Sequence, residues 1–328
     1  MLVTDLAQVI TPQLQILINN TLQHLDHLSD TQQSLVLELI NRTTHHDDAP
    51  PIAEHILLHL RYGGDKADSH LLVEKDNQVI GYAHLDQTDL VAGPCVELVV
   101  DPSYRGAGVG KALLTEAIKI CGKSLRLWVH GEAEVAHNLA ASFNFEKIRT
   151  VLQMSKSLTD IQPLPTIDKE IIIRSFLLGI DSDAWLELNN KVFKDHPEQG
   201  GWQLSDLNHR LSEEWFDEKG FFIVEKNKQV IASTWTKIHG DHSHDHDGEA
   251  SHAHPAIGEI YITAVDPAYA GLGIGKALTI TALNYLKYQG LKDAMLYVDF
   301  ENKAALNLYD SLGFKLSSKD VLYRLKAN

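Results

Sequence analysis

Two stretches of this chain are built on the same plan. Residues Glu97 to Lys111 read ELVVDPSYRGAGVGK, and residues Glu259 to Lys276 read EIYITAVDPAYAGLGIGK. In each, a β-branched run stops at Asp-Pro and a loop with alternating glycines follows, at 106, 108 and 110 and again at 271, 273 and 275. Apolar residues then recur at helical spacing (ALLTEAIKI; ALTITALNYLKY). Glycines there let the backbone turn sharply and approach a ligand, and the helix that follows begins with unpaired amide donors at the positive end of its dipole. Such a loop suits a phosphate or pyrophosphate. One G-x-G-x-G is weak, because tight strand-to-helix turns use glycine for geometry alone. The same strand, Asp-Pro, loop and helix occurring twice is a far stronger signal. Neither copy is a nucleoside-triphosphate loop, since Lys111 and Lys276 are followed by Ala112 and Ala277 where Ser or Thr is required. A dinucleotide fingerprint fits no better: the spacing differs and the loops lie deep inside each half.

The repeat also sets the domain organisation, because 328 residues leave room for two ordinary cores. Hairpin, strand, glycine loop, helix, strand and helix follow in the same order twice, which predicts an α/β (α+β, mixed-sheet) fold in two tandem domains, without the regular alternation of a doubly wound sheet. The boundaries fall at 1–158 and 171–328, with 159–170 as a semi-rigid linker carrying Pro163 and Pro165. A formal charge of -15 with no basic stripe disfavours a nucleic-acid partner. Two cysteines, Cys95 and Cys121, argue against a disulfide framework and for a reducing compartment. No basic-then-apolar leader opens the chain and no apolar run approaches about 18 residues, so a cytoplasmic protein with no membrane partner is expected.

In the first half the periodicity predicts helices over 14–28 and 34–43, a break at Ala49-Pro50-Pro51, and a helix IAEHILLHLRYG that carries Glu54. Residues 71–85 read as a hairpin about Asp76-Asn77, LRLWVHG as a strand, and Asn138 to Ser142 as part of a short helix. The second half predicts a strand from Ile171, a helix near 181–193, an unusual HPEQGGW at 196–202, a helix through LSEEWF at 211–216, and the hairpin FFIVEKNKQVIASTWTKI. Strand AMLYVDF, helix NKAALNLYDSLGF and a closing strand VLYRL complete it. An insertion at 239–255, HGDHSHDHDGEASHAHP, has no partner in the first half. Its histidines at 239, 242, 244, 246, 252 and 254 could bind Zn²⁺ or Ni²⁺ adventitiously, but no H-E-x-x-H or closed-site spacing gives it a catalytic metal, and a solvated hairpin loop is the simpler reading.

The loops V-D-P-x-Y-x-G-x-G-x-G-K and the helix NKAALNLYDSLGF resemble the GCN5-related N-acetyltransferase (GNAT) family, duplicated in tandem. More narrowly, HPEQGGW, WTK at 235–237, GEIY at 258–261 and LYVDFENKAA at 296–305 are similar to the mycothiol synthase family, and the resemblance spans essentially the whole chain. It implies acetyl-CoA as donor; a monomer is expected. The acceptor it implies is a small-molecule thiol precursor, the cysteinyl amine of desacetylmycothiol (cysteine amide-linked to glucosaminyl-inositol). In the second half, Ala270, Gly271, Leu272, Gly273, Ile274, Gly275 and Lys276 would offer amides to the pyrophosphate. Thr263, Ala264 and Val265 would hold the pantetheine arm, and Asn302, Lys303, Ala304, Ala305, Leu306 and Asn307 would line the cofactor from the next helix. In the first half, Gly106, Ala107, Gly108, Val109, Gly110 and Lys111, with Leu98, Val99 and Val100, would keep a CoA site without turnover.

Acetyl transfer from a thioester needs a base for the incoming ammonium and an acid for the departing thiolate. Glu259, at the start of its strand, is the candidate base, although glutamates there are often simply solvated. The candidate acids are Tyr297 in the strand and Tyr309 in the last helix, and the sequence leaves both open. Family resemblance implies Glu54, Glu198, Lys237, Glu259 and Tyr297 as acceptor contacts, with the acceptor where the domains meet, and no metal in the chemistry. Aligned by sequence, Glu259 falls opposite Pro94, Tyr297 opposite Trp128 and Tyr309 opposite Ala140, so the first half lacks every candidate proton-transfer group. It keeps Arg105 in its loop where the second half has Ala270. Two alternatives stay open: an acetyltransferase for another small amine or a protein N-terminus, and a non-enzymatic acyl-CoA sensor.

Overall fold

The hairpins set the sheets, and each turns on two consecutive left-handed residues. Asp76 and Asn77 have φ of 50° and 62°, and Asn227 and Lys228 have φ of 52° and 66°, the paired positive φ of a type I′ turn. The computed structural model describes residues 21–47, 49–62, 68–87, 93–131, 133–194, 196, 199–239 and 256–326. By packing, the chain divides into two units: Met1–Val151 with Ser318–Asn328, and Leu152–Ser317.

In the first unit, β1 (Leu22–Leu25), β2 (Asp68–Lys75), β3 (Gln78–Asp86) and β4 (Cys95–Val100) run antiparallel in that order. β4 lies parallel to β5 (Arg126–Val129). The last strand of the chain lies beside β5, with Val321–Arg324 antiparallel to Arg126–Val129. Helices α1 (Asp30–Asp47) and α2 (Glu54–Tyr62) bury Val36, Leu39, Ile40 and Ile56 against Leu72, Tyr82 and Val99. On the other core, α3 (Val109–Cys121) and α4 (Glu134–Ser142) bring Leu113, Leu114, Ala117 and Ala140 to Leu71, Ile80 and Leu127.

β6 (Phe145–Ser157) carries the chain into the second unit, where Leu152 and Met154 join its core. β7 (Ile171–Ser175), β8 (Phe221–Lys226), β9 (Gln229–His239) and β10 (Ile257–Val265) are antiparallel neighbours, and β10 is parallel to β11 (Asp293–Asp299). Helices α5 (Ser182–Val192) and α6 (Leu204–Leu211) pack with an aromatic core of Trp185, Trp202, Phe221 and Trp235. Phe221 and Trp235 stack with centroids 4.4 Å apart and planes at 1°. The crossover helix α7 (Ile274–Tyr288) and α8 (Lys303–Ser311) bury Leu283, Leu286 and Tyr309 with Ile260 and Leu296. β12 (Lys315–Leu325) then returns to the first unit from Ser318. Residues 159–170 carry no regular structure.

Three elements differ from the sequence expectation. Residues 22–25 form a strand where the periodicity predicts helix, because Ser29 and Gln32 make a capping box that starts α1 at Asp30 (Ser29 N–H to Gln32 Oε1 3.0 Å; Gln32 N–H to Ser29 Oγ 3.3 Å). The segment before the cap is left to pair with β2, whose backbone groups would otherwise form an open sheet edge. The helix predicted through 211–216 lies earlier, at Leu204–Leu211, where Gln203 and Asp206 form the cap. Trp215 and Phe216 instead turn in against Trp235. The closing strand packs with the first unit, not with the half that encodes it.

Candidate active site

Each glycine loop is set by its aspartate. Asp266 accepts a hydrogen bond from Ala268 N–H (3.0 Å) and from Lys191 Nζ (2.7 Å), and these bonds hold its carboxyl below the usual range. Asp101 accepts from Ser103 N–H (2.9 Å) and Arg42 Nη2 (3.1 Å). Helices α7 and α3 then begin at Gly273 and Gly108, whose φ of 79° and 89° only glycine adopts cheaply. Among the described residues no side chain caps either helix start, so their first amides face outward. A Cβ added at Gly106, Gly271 or Gly273 would meet nothing within 4 Å. The third glycines are tighter: a Cβ at Gly110 would lie 3.3 Å from Leu139, and one at Gly275 would lie 3.5 Å from Leu308. Open space before outward amides fits a pyrophosphate at both loops. Ala270, Gly271 and Leu272 are exposed, as are Asn302, Lys303, Ala304 and Asn307. Asn302 caps α8 by accepting from Ala305 N–H (3.1 Å). Arg105 forms an ion pair with Asp47 on α1.

The parallel ladder of β10 and β11 covers only Gly258–Ile260 against Ala294–Leu296. Beyond Ile260 the strands are no longer paired to each other, so the edge formed by Thr263, Ala264 and Val265 is where an extended arm could add main-chain bonds. A bulge at Tyr261 marks the same point: Ile260 pairs with Thr236 and Ile262 with Trp235. The extra residue puts Tyr261 and Ile262 together in the aromatic cluster.

Glu259, 6 % exposed, lies opposite Lys237 on β9 and Met295 on β11. By the period of two, Tyr297 shares that face and is the first residue of β11 past the last rung. His239 is the diagonal neighbour on β9, and its Nε2 lies 2.6 Å from Glu259 Oε2. The Lys237 ammonium sits 4.6 Å from the centre of the Trp215 ring and 5.5 Å from that of Tyr261. Tyr309 is buried, and its side chain hydrogen-bonds to Thr263. Thr263 Oγ1 is in turn 2.8 Å from Thr234 Oγ1. Burial holds the Tyr309 phenol up at about 12, against the lowering effect of the Thr263 bond, so it stays protonated at neutral pH. Tyr297 is 38 % exposed. The structure therefore brings together Lys237, Glu259 and Tyr297, and separately joins Tyr309 to the strand edge. Glu54 begins α2 in the first unit. Glu198 lies outside the described residues, as does the insertion after His239. His239 is the site residue missed by sequence reasoning, which counted it with the insertion. Its place at the end of an alternating strand run, in phase with Lys237, was the available signal.

The first unit repeats this frame with other side chains. Its parallel ladder pairs Cys95 with Arg126 and Val96 with Leu127. β4 has no bulge against β3, so register places Cys95, not Pro94, at the position of Glu259, and Trp128 at that of Tyr297. Glu97 takes the place of Ile262 and is locked: its Oε2 accepts from Ala53 N–H (2.7 Å) and from His130 Nε2 (2.9 Å). Asp320 Oδ2 lies 3.1 Å from His130 Nδ1. Burial alone would lower the His130 pKa, but Glu97 and Asp320 outweigh it and raise it to about 10.

A model of the acetyltransferase (GNAT) family matches residues 35–145 and 184–314. The mycothiol acetyltransferase of Acidothermus cellulolyticus is 44% identical over 292 residues, 88% of this chain and 89% of that protein. That of Thermomonospora curvata is 42% identical over 301 residues, 91% and 95% of the two chains. Among solved structures, a tandem GNAT protein from the clavulanic acid biosynthesis pathway superposes with a TM-score of 0.67 at 16% identity, covering 94% of this chain and 99% of its own.

Proposed function

The chain belongs to the GNAT acetyltransferase family and, within it, to the mycothiol acetyltransferases, and from that premise we propose that it transfers acetyl from acetyl-CoA to the cysteinyl amine of desacetylmycothiol, giving mycothiol and CoA. The observation that carries the chemistry to the second unit is the shared face of Lys237, Glu259 and Tyr297 where the β10–β11 ladder stops. Acetyl-CoA, when bound, supplies the acetyl group already activated as a thioester. The amides of Gly271 to Gly275 at the start of α7 hold its pyrophosphate, and the Thr263–Val265 edge holds the extended arm. Glu259 accepts the proton of the acceptor ammonium at its carboxylate, directly or through a water, while His239 fixes the rotamer of that carboxylate. Tyr309 Oη, which Thr263 aims at the strand edge, or Tyr297 Oη on the acceptor side, would give a proton to the leaving thiolate as the C–S bond breaks and would recover one from the nitrogen as it becomes an amide. Lys237 and Glu198 serve the polyhydroxylated acceptor.

On this proposal residues 1–158 form a degenerate acetyltransferase-like domain that keeps a CoA site, 159–170 a linker and 171–328 the catalytic domain. The protein acts as a cytoplasmic monomer. No helix among the described residues is long and apolar enough to cross a membrane, and the acidic surface and two thiols suit a soluble, reducing setting. The test incubates purified protein with acetyl-CoA and a panel of amines, with CoA quantified by chromatography because the acceptor carries its own thiol. Turnover confined to the cysteinyl pseudo-disaccharide is expected. Equal turnover of free cysteine or a peptide N-terminus would overturn the acceptor, and CoA binding without turnover of any amine would overturn the reaction.

A further inference from the structure

The interior of the first unit holds a polar cluster that acetyl transfer does not use. His59 on α2, Asp68 at the start of β2 and His84 on β3 each bring a ligand atom within 4.8 Å of the others. Asp68 Oδ2 lies 3.1 Å from His59 Nδ1 and 3.8 Å from His84 Nε2. Oxygen and nitrogen ligands bound to tetrahedral Zn²⁺ at 2.0–2.1 Å stand about 3.4 Å from one another, a value that these two separations bracket. At 3.8 Å, His84 is too far from Asp68 for a hydrogen bond of good geometry but well placed for a cation between them. The side chains of Asp68 and His84 are 3% and 1% exposed, whereas that of His59 is 30% exposed, so the cluster is closed by the sheet and reached from the side of α2.

An outer partner orients the deepest ligand. His84 Nδ1 is 3.4 Å from Tyr82 Oη, which is 2.9 Å from His70 Nδ1. When His84 Nδ1–H donates to Tyr82 and Tyr82 O–H donates to His70, the lone pair of His84 is left on Nε2, toward Asp68. Metal-bound histidines are commonly fixed in this way through their other ring nitrogen. The scaffold itself does not require polar groups here. In the second unit the positions paired as His70 and His84 are Phe221 and Trp235, both fully buried.

We propose that His59, Asp68 and His84 bind one divalent transition-metal ion, with Zn²⁺ the best match to two imidazoles and a carboxylate. Water would complete the coordination, and the ion ties α2 to β2 and β3. Because the histidine-rich insertion would also take up metal, the test uses the full chain with His242, His244, His246, His252 and His254 each replaced by serine. This parent is equilibrated with Zn²⁺ or Co²⁺, dialysed against metal-free buffer and analysed for bound metal. One ion per chain, the intense visible absorption of four-coordinate Co²⁺ and a higher melting temperature with Zn²⁺ are expected. His59→Ala, altered on the exposed side, should lose the ion and the Zn²⁺-dependent rise in melting temperature while keeping the parent's circular dichroism. Tyr82→Phe should bind about 10- to 100-fold more weakly. A folded parent that retains no ion overturns the proposal, and so does a folded His59→Ala that binds as tightly as the parent.

Discussion

Across the sheet of the second unit, Phe221, Trp235 and Ile262 stand opposite one another on three neighbouring strands. The same row in the first unit is His70, His84 and Glu97. An apolar row leaves the charged groups of the second unit at the end of its split ladder, where Glu259 and Lys237 face each other and Tyr297 follows. In the first unit the charges are consumed inside: Glu97 is locked by Ala53 and His130, and His130 by Asp320. The split ladder and the left-handed glycines survive in both. On the proposed reading, cofactor binding is main-chain chemistry, which a diverging sequence keeps as long as it keeps its glycines. On the proposed roles, proton transfer is side-chain chemistry, and the first unit has Cys95, Trp128 and Ala140 where the second has Glu259, Tyr297 and Tyr309.

The largest expected effect separates the two loops. Valine at Gly273 would meet a left-handed φ of 79° that costs a β-branched residue about 1–2 kcal/mol, and it would fill the open space before the amides. Gly273→Val should therefore abolish turnover, while Gly108→Val, with φ of 89°, should empty the other loop and leave turnover largely intact. Calorimetric titration with CoA should count two sites in the parent and one in each variant. A folded, one-site Gly108→Val protein without activity would give the first unit a part in catalysis.

Next in size is the base. Glu259→Gln should lower kcat by about 10²-fold with CoA affinity unchanged, the scale expected for loss of a general base. The reciprocal change places Cys95→Glu and Trp128→Tyr together in the Glu259→Gln background. No activity should return, because Ala140 still stands where the second unit has Tyr309. Recovery of turnover would show that a base and one tyrosine suffice, and would move the acid role to Tyr297.

How far the sequence was legible follows the range of the interactions. The loops, hairpins and crossover helices were readable because a glycine at positive φ or an apolar stripe is a local signal. The bulge at Tyr261 was not, since one extra residue inside EIYITAV leaves the alternation looking intact, and the sequence alignment therefore set Glu259 opposite Pro94 instead of Cys95. The strand at Leu22–Leu25 lost its helical reading to the cap at Ser29–Gln32 and to pairing with a partner nearly fifty residues away, at His70–Val73. Glu97, His130 and Asp320 meet only because the last strand packs beside β5. Nothing near any of the three residues announces that.

His239 offers a smaller test of the same contrast. Its bond to Glu259 spans 2.6 Å at a site where His239 is still 34 % exposed. A net hydrogen bond is worth about 0.5–1.5 kcal/mol, or roughly two- to tenfold in rate. His239→Phe should lower kcat by that factor, leave the acetyl-CoA KM unchanged, and have no further effect in the Glu259→Gln background. Additive losses in the double variant would separate His239 from Glu259.

The smallest effect is on stability and belongs to the first unit. His130 has a folded pKa of about 10 against an ordinary 6.5, because the Glu97 and Asp320 carboxylates more than offset its burial. Between those values the folded state binds more protons than the unfolded one, so unfolding free energy falls with pH. The contribution is fully present below pH 6.5 and is lost as pH rises through about 10. Trp128 stacks on His130 with centroids 5.9 Å apart and is the one tryptophan in residues 1–151 and 318–328, so the fluorescence difference between parent and Trp128→Phe isolates this unit. The midpoint of that signal should drop by several degrees from pH 7 to pH 10, at roughly 2–4 °C for each kcal/mol. His130→Gln should melt lower throughout and lose most of the slope, since the group whose proton is exchanged is gone. A slope unchanged in His130→Gln would mean that the imidazolium is not what compensates Glu97. The buried carboxylate would then need another cation, and the contrast between a spent charge in one unit and a working one in the other would no longer rest on His130.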